Sequence, residues 1–162
     1  MFKDKKTQIL VIIALALVLR IAFLLVLDPN GIYFTDTRHY DRAAKHLVAG
    51  EGFGEKYNRS PLYPVIMAGV YALFGPYFTA MRIFEILLSL ALIWIIYRIG
   101  NSLFDHKTAL LSAALAAVFP HFVLLTGILY PTNTFTLLLA LTLLFILLAE
   151  ERRQYSYYAI AA

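Results

Sequence analysis

The sequence predicts an all-α fold, a multispan helical membrane protein, and three observations predict it. Hydrophobic residues make up 61% of the 162 and charged residues only 15%, against about half and a quarter in an ordinary soluble domain. The mean hydropathy is +0.74. Apolar runs recur along the chain at close to the roughly 20 residues that a spanning helix needs. The excess of 14 basic over 10 acidic residues is then a matter of membrane orientation, and nucleic acid is excluded as a partner. With no cysteine in the chain, disulfides, thiolate metal sites and a thiol nucleophile are excluded too.

The elements follow in order. Residues 9–27 form a first span, interrupted only by Arg20. Lys3, Lys5 and Lys6 precede it as in a signal peptide, but no small-residue cleavage site follows, so the span is read as uncleaved. Residues 28–60 are a polar loop. Inside it, Thr35 or Asp36 opens a helix over about 36–49 that Gly50 closes. Tyr40, Ala43, Ala44, Leu47 and Val48 share one face of that helix, while Arg38, Asp41, Arg42 and Lys45 fall on the rest. An amphipathic helix of this kind lies along a membrane surface. Residues 61–74 are apolar but only about 21 Å long as a helix, short of the hydrocarbon core, and Gly75-Pro76 breaks them. They predict an interfacial or re-entrant helix. Residues 79–99 form a full span. After a polar link, 108–149 is twice the length of one span, and Gly127 with Pro131-Thr132-Asn133 divides it into 108–126 and 132–149. Pro120 kinks the first of these. Residues 155–162 open a further span, which makes about four transmembrane helices plus the start of a fifth, with an external juxtamembrane helix after the first.

Charge fixes the orientation. With the amino terminus inside, Lys3, Lys5, Lys6, Arg98, Lys107, Arg152 and Arg153 are all inside, and the outer turn at 127–133 carries no basic residue. If 61–74 crossed, Arg98, Lys107, Arg152 and Arg153 would move outside, against the positive-inside bias. The short helix therefore stays on one side. Loop 28–60 then faces outward from a cytoplasmic membrane as the one sizeable aqueous segment, where chemistry is to be sought.

Asp residues at helix starts are mostly caps, and spacing alone leaves Asp36 between a cap and a catalytic acid. Asp41 reads as a solvated ion-pair partner between two arginines. His39 lies three residues from Asp36, but one His and one Asp are an incomplete metal site. Charges inside spans carry more weight, since each costs on the order of 2.5 to 3.5 kcal/mol at mid-membrane. Arg20 and Glu85 lie at matching depths, roughly 10 and 9 Å from the outer ends of their spans, which predicts an ion pair. Arg82, one turn nearer the surface, either snorkels to the interface or offers its guanidinium to a lipid phosphate. Aromatics crowd the loop. They suit an interfacial belt or a sugar- or prenyl-binding surface, with Tyr40 and Tyr63 the substrate-binding candidates among them.

In their order, these pieces resemble the amino-terminal part of the GT-C superfamily of membrane glycosyltransferases, in particular relatives of protein O-mannosyltransferases and lipid A aminoarabinose transferases. The residues carrying the likeness are Asp36 with Tyr40 and Ala44, Gly50-Glu51-Gly52-Phe53, and Arg59-Ser60-Pro61-Leu62-Tyr63-Pro64. Leu73-Phe74-Gly75, Ala80 with Arg82, and Phe104-Asp105 follow, so that residues 1–162 correspond to the amino-terminal part of the transmembrane domain. The resemblance implies transfer of a sugar from a polyprenyl-phosphate-linked donor to a hydroxyl or glycan acceptor at the outer face, with inversion at the anomeric carbon. It assigns Asp36 the catalytic role, as general base or as ligand to a divalent cation (Mg or Mn) where a member uses one. It places Arg59 at the donor phosphate. This chain departs from the pattern at Asn133, in a turn where many relatives carry an acid, and in lacking a second acid beside Asp36. Relatives continue with further spans, so the 162 residues are read as a fragment inactive alone.

Two other classes compete. A small non-catalytic membrane assembly or lipid-binding protein would use the same helices and keep Asp36 as a cap. A transporter fragment would explain Arg20 and Glu85, but no internal repeat of broken spans is visible.

Overall fold

The computed structural model describes residues 4–54, 57–152 and 160. Among them the chain is all-helical: α1 Lys5–Val26, α2 Thr35–Val48, α3 Leu62–Phe74, α4 Phe78–Leu103, α5 His106–Val118, α6 Pro120–Ile128 and α7 Thr132–Arg152. Three of these, α1, α4 and α7, are long and apolar enough to cross a membrane, and α5 with α6 makes a fourth candidate bent by 48°. The bend falls at Phe119, just before Pro120, whose missing N–H and ring close off the helix that precedes it. The further span expected at 155–162 lies outside the described residues, Ile160 apart, as do Lys3 and Arg153.

Local chemistry accounts for the boundaries. Asp4 caps α1 by accepting from the Lys6 N–H at 3.3 Å, which starts the helix four residues before the apolar run. Helix α2 has Phe34 at its cap position with no side-chain cap bond. Neither Thr35 nor Asp36 therefore caps it, and the Asp36 carboxylate is left available in the first turn. Gly50, at φ +78°, follows its end, and only a residue without Cβ takes that turn at little cost. Gly75, at φ +87°, ends α3 in the same way after 13 residues.

Helix α4 is the hub, touching α1, α3, α5, α6 and α7. Small residues bring α5 in close: Ala109, Ala113, Ala116 and Ala117 are buried against α1 and α4, and lipid offers no hydrophobic drive that could replace such contact. At the opposite end, α2 does not merely lie on a membrane. Its face of Thr37, Tyr40, Ala43 and Ala44 is buried against Tyr63, Met67, Val70 and Tyr71 of α3 and Met81 of α4. Asp41 joins this seam, accepting from the Tyr71 hydroxyl at 2.8 Å and from Lys45 at 2.8 Å. Val48, assigned to the apolar stripe, is exposed.

Candidate functional site

Helix α2 carries Asp36 in its first turn, and the segment leading into α3 carries Arg59. They meet as a two-armed fork: Arg59 Nη1 donates to Asp36 Oδ2 and Nη2 lies by Oδ1, both at 3.0 Å. Arg59 keeps 38% of its side-chain exposure and Asp36 23%, so water and ligands reach the pair. Tyr40, one helical turn after Asp36, sits beneath it. Its ring meets Tyr63 edge-on at 5.1 Å and Tyr130 at 6.4 Å. Burial raises the Tyr40 phenol above its ordinary range, Tyr130 and Asp36 add to the rise, and Arg59 opposes it. The group is thus held as a neutral hydroxyl. Tyr57, whose hydroxyl donates to the Ser60 carbonyl at 2.8 Å, stacks on Phe53 at 5.2 Å and fixes the loop beside Arg59.

Below this pair lies a buried polar layer that departs from the expected one. Arg20 and Glu85 form no ion pair. Arg20 donates from Nε to Ser89 Oγ at 2.9 Å, and from Nη1 to Ala117 O at 2.9 Å and Ala16 O at 3.2 Å. Ser89 is one turn deeper than Glu85, so the register of α1 on α4 sets Arg20 below the carboxylate. The helix break supplies the alternative partner: a carbonyl in the last turn of α5 lacks its usual donor, and a cation suits that end of a helix.

Glu85 is held instead by neutral groups. Tyr63 donates to Oε1 at 2.9 Å, and Asn133 Nδ2 donates to Oε2 at 2.7 Å and to the Glu85 carbonyl at 3.0 Å. All three residues are fully buried. This accounts for Asn133 standing where an acid was expected from the resemblance, because a second carboxylate would face Glu85 without a proton donor between them.

Arg82 likewise has its donors taken up by the fold. It is fully buried, and its guanidinium donates to Gly127 O at 2.9 Å, Asp28 O at 2.7 Å, Pro29 O at 3.1 Å and Gly31 O at 2.7 Å, with the Tyr33 ring 5.6 Å away. It fastens the turn after α1 and the end of α6 to α4. Thr37 adds a second tie there, donating to Ile128 O at 3.0 Å beside Leu129, whose φ of +52° is left-handed.

Of the expected site residues, the structure brings Asp36, Arg59 and Tyr40 together at the surface. Tyr63 lies under them as a partner of Glu85, and its hydroxyl is therefore not offered to a substrate. His39 is exposed on α2, and among the described residues no group of three or more His, Asp or Glu side chains could hold a metal ion. With both Asp36 oxygens facing Arg59 and no group of acidic or histidine ligands around them among the described residues, the donor set does not fit a divalent cation. Sequence reasoning missed the pairing of Asn133 with Glu85. The available signal was an amide in a turn at the same end of the bundle as an intramembrane acid.

A family model described as dolichyl-phosphate-mannose-protein mannosyltransferase matches residues 58–162. The match takes in Arg59, Tyr63, Glu85 and Asn133 and begins downstream of Asp36. No curated protein and no solved structure matches the chain.

Proposed function

The chain belongs to the dolichyl-phosphate-mannose-protein mannosyltransferase family, a family of polyprenyl-phosphate-sugar-dependent glycosyltransferases, and from this premise we propose that Asp36 is the base and Arg59 the donor-phosphate ligand of such a transfer. The reaction takes place at the outer face of the cytoplasmic membrane, where loop 28–60 lies. The observation that carries the reading is the surface fork between Asp36 and Arg59. Among the described residues it is the one direct ion pair between a carboxylate and a guanidinium, and both members are reachable from water.

In the proposed step the donor phosphate draws one or both arms of the Arg59 fork to itself, since a phosphate diester anion and a carboxylate compete for the same planar donors. An Asp36 oxygen freed in this way accepts the proton of the acceptor hydroxyl. The acceptor oxygen bonds to the anomeric carbon from the side opposite the phosphate, and the bond from that carbon to the phosphate oxygen breaks. The electron pair leaves on polyprenyl phosphate, whose growing charge Arg59 stabilises. The configuration inverts.

The test is sugar transfer by the intact protein carrying Asp36→Asn, which keeps the shape and removes the base. A loss of about 10²- to 10⁴-fold in turnover is expected, with membrane level and donor affinity retained. Unchanged turnover at normal level would make the Asp36–Arg59 pair a structural tie and leave the chain as a non-catalytic membrane module.

A further inference from the structure

After α2 the chain returns along it and is tied to it by two charged pairs. At the front of the helix, Arg59 forks onto Asp36 with both contacts at 3.0 Å. At the rear, the Glu51 N–H donates to the His46 carbonyl at 2.9 Å, and His46 Nδ1 donates to Glu51 Oε2 at 2.6 Å. We propose that Glu51 and His46 form a clasp that positions Arg59, keeping it at the site while its guanidinium leaves Asp36 for the donor. The inference rests on the donor-phosphate reading of Arg59 above and adds what holds that arginine in place.

Three observations lead to the clasp. The first is the backbone. Gly50, Gly52 and Gly54 stand at φ of +78°, +69° and +79°, a region that glycine enters at little cost. The chain thereby turns sharply enough for Glu51 to reach back to His46. Gly54 then lies so close to the imidazole that a Cβ there would come within 2.9 Å of His46 Cδ2. The second is the connection onward. Phe53 stacks on Tyr57 at 5.2 Å, and the Tyr57 hydroxyl donates to the Ser60 carbonyl at 2.8 Å, which brackets Arg59. A shift at Glu51 is passed along these contacts. The third is scarcity. Among the described residues between Gly54 and Arg59, no hydrogen bond joins the segment to α2. Once donor phosphate draws Arg59 from Asp36, the rear pair is the charged tie that remains.

Glu51 does not itself reach the reacting groups. Its carboxylate is committed to His46, which lies about 15 Å along α2 from Asp36. It is therefore a positioning residue, and it does not supply the second acid missing beside Asp36. An exposed pair of this kind adds little to global stability, so breaking it releases the loop and spares the fold.

The experiment uses the intact protein in lipid nanodiscs, with polyprenyl-phosphate mannose as the titrated probe. Glu51→Ala should speed amide exchange over residues 50–60 and weaken probe binding about threefold, with the melting temperature unchanged. Glu51→Gln, which still accepts from His46, should recover most of that affinity. Gly54→Ala, strained at its φ and pressed on His46, should weaken binding more, by about tenfold. Arg59→Ala alone should weaken it too, and adding Glu51→Ala to that variant should change nothing further, because the clasp acts only through Arg59. Unchanged exchange in Glu51→Ala, faster exchange with affinity retained, or a full additional loss in the double variant would each overturn the clasp. Affinity undiminished in Arg59→Ala would instead reject the donor-phosphate reading on which the clasp rests.

Discussion

Asp36 and Arg59 hold each other at the surface across two 3.0 Å contacts, whereas Arg20, Arg82 and Glu85 are fully buried and make no salt bridge among the described residues. The buried groups are met by backbone carbonyls, a serine, a tyrosine and an asparagine. These partners are fixed parts of the helices and cannot be exchanged for a ligand without opening the fold. The surface pair differs in kind. Each member can find water or another ion when it lets go, so separating them costs little. A charge buried on fixed partners organises the bundle, and a charge held by another exposed charge can switch partners during a reaction.

The largest effect expected from this contrast is at Arg82. Arg82→Ala leaves the carbonyls of Asp28, Pro29, Gly31 and Gly127 without their donor, which costs about 4 kcal/mol or more at typical values for charged hydrogen bonds. Yield and melting temperature in detergent should fall together. A stable Arg82→Ala protein with weakened donor binding would return Arg82 to the phosphate site. Next is Asn133→Asp, which sets a carboxylate against Glu85 and removes two N–H donors. A loss of about 3 kcal/mol is expected, read by denaturant titration, and Glu85→Gln in the same chain should recover part of it. The smallest stability effect is at Arg59. Arg59→Ala should change stability by less than about 1 kcal/mol while weakening the donor's binding in a direct titration. If it melted the protein as Arg82→Ala does, the distinction between the two regions would fail.

The parts that sequence made legible were those set by local chemistry. The stripe of Tyr40, Ala43 and Ala44 with Gly50 behind it located α2, because helix period and a positive-φ stop are written in adjacent residues. The length of 61–74 limited α3, and Pro120 marked the bend. Partners across helices were another matter. Counting residues gave Arg20 and Glu85 the same depth, but depth says nothing of the rotation of a helix about its axis or of a one-turn shift in register. Arg20 accordingly reached Ser89. The partners of Arg82 were not legible, because backbone carbonyls carry no sequence signal. The approach of Arg59 to Asp36, 23 residues away along the chain, depended on α2 folding back on α3, which no local pattern specifies. Asn133 was legible only as a departure from the resemblance, because its partner Glu85 lies 48 residues away along the chain.

The proposal that loop 28–60 faces away from the cytoplasm and carries Asp36 to the donor can be tested directly, because the chain has no cysteine of its own. Single cysteines are placed at Asn58 in that loop and at Ser102 near the far end of α4, both exposed positions, and intact cells are treated with a membrane-impermeant maleimide. Asn58→Cys should label in intact cells, and Ser102→Cys only after the membrane is permeabilised. The reverse pattern would put Asp36 on the cytoplasmic side and contradict the assignment.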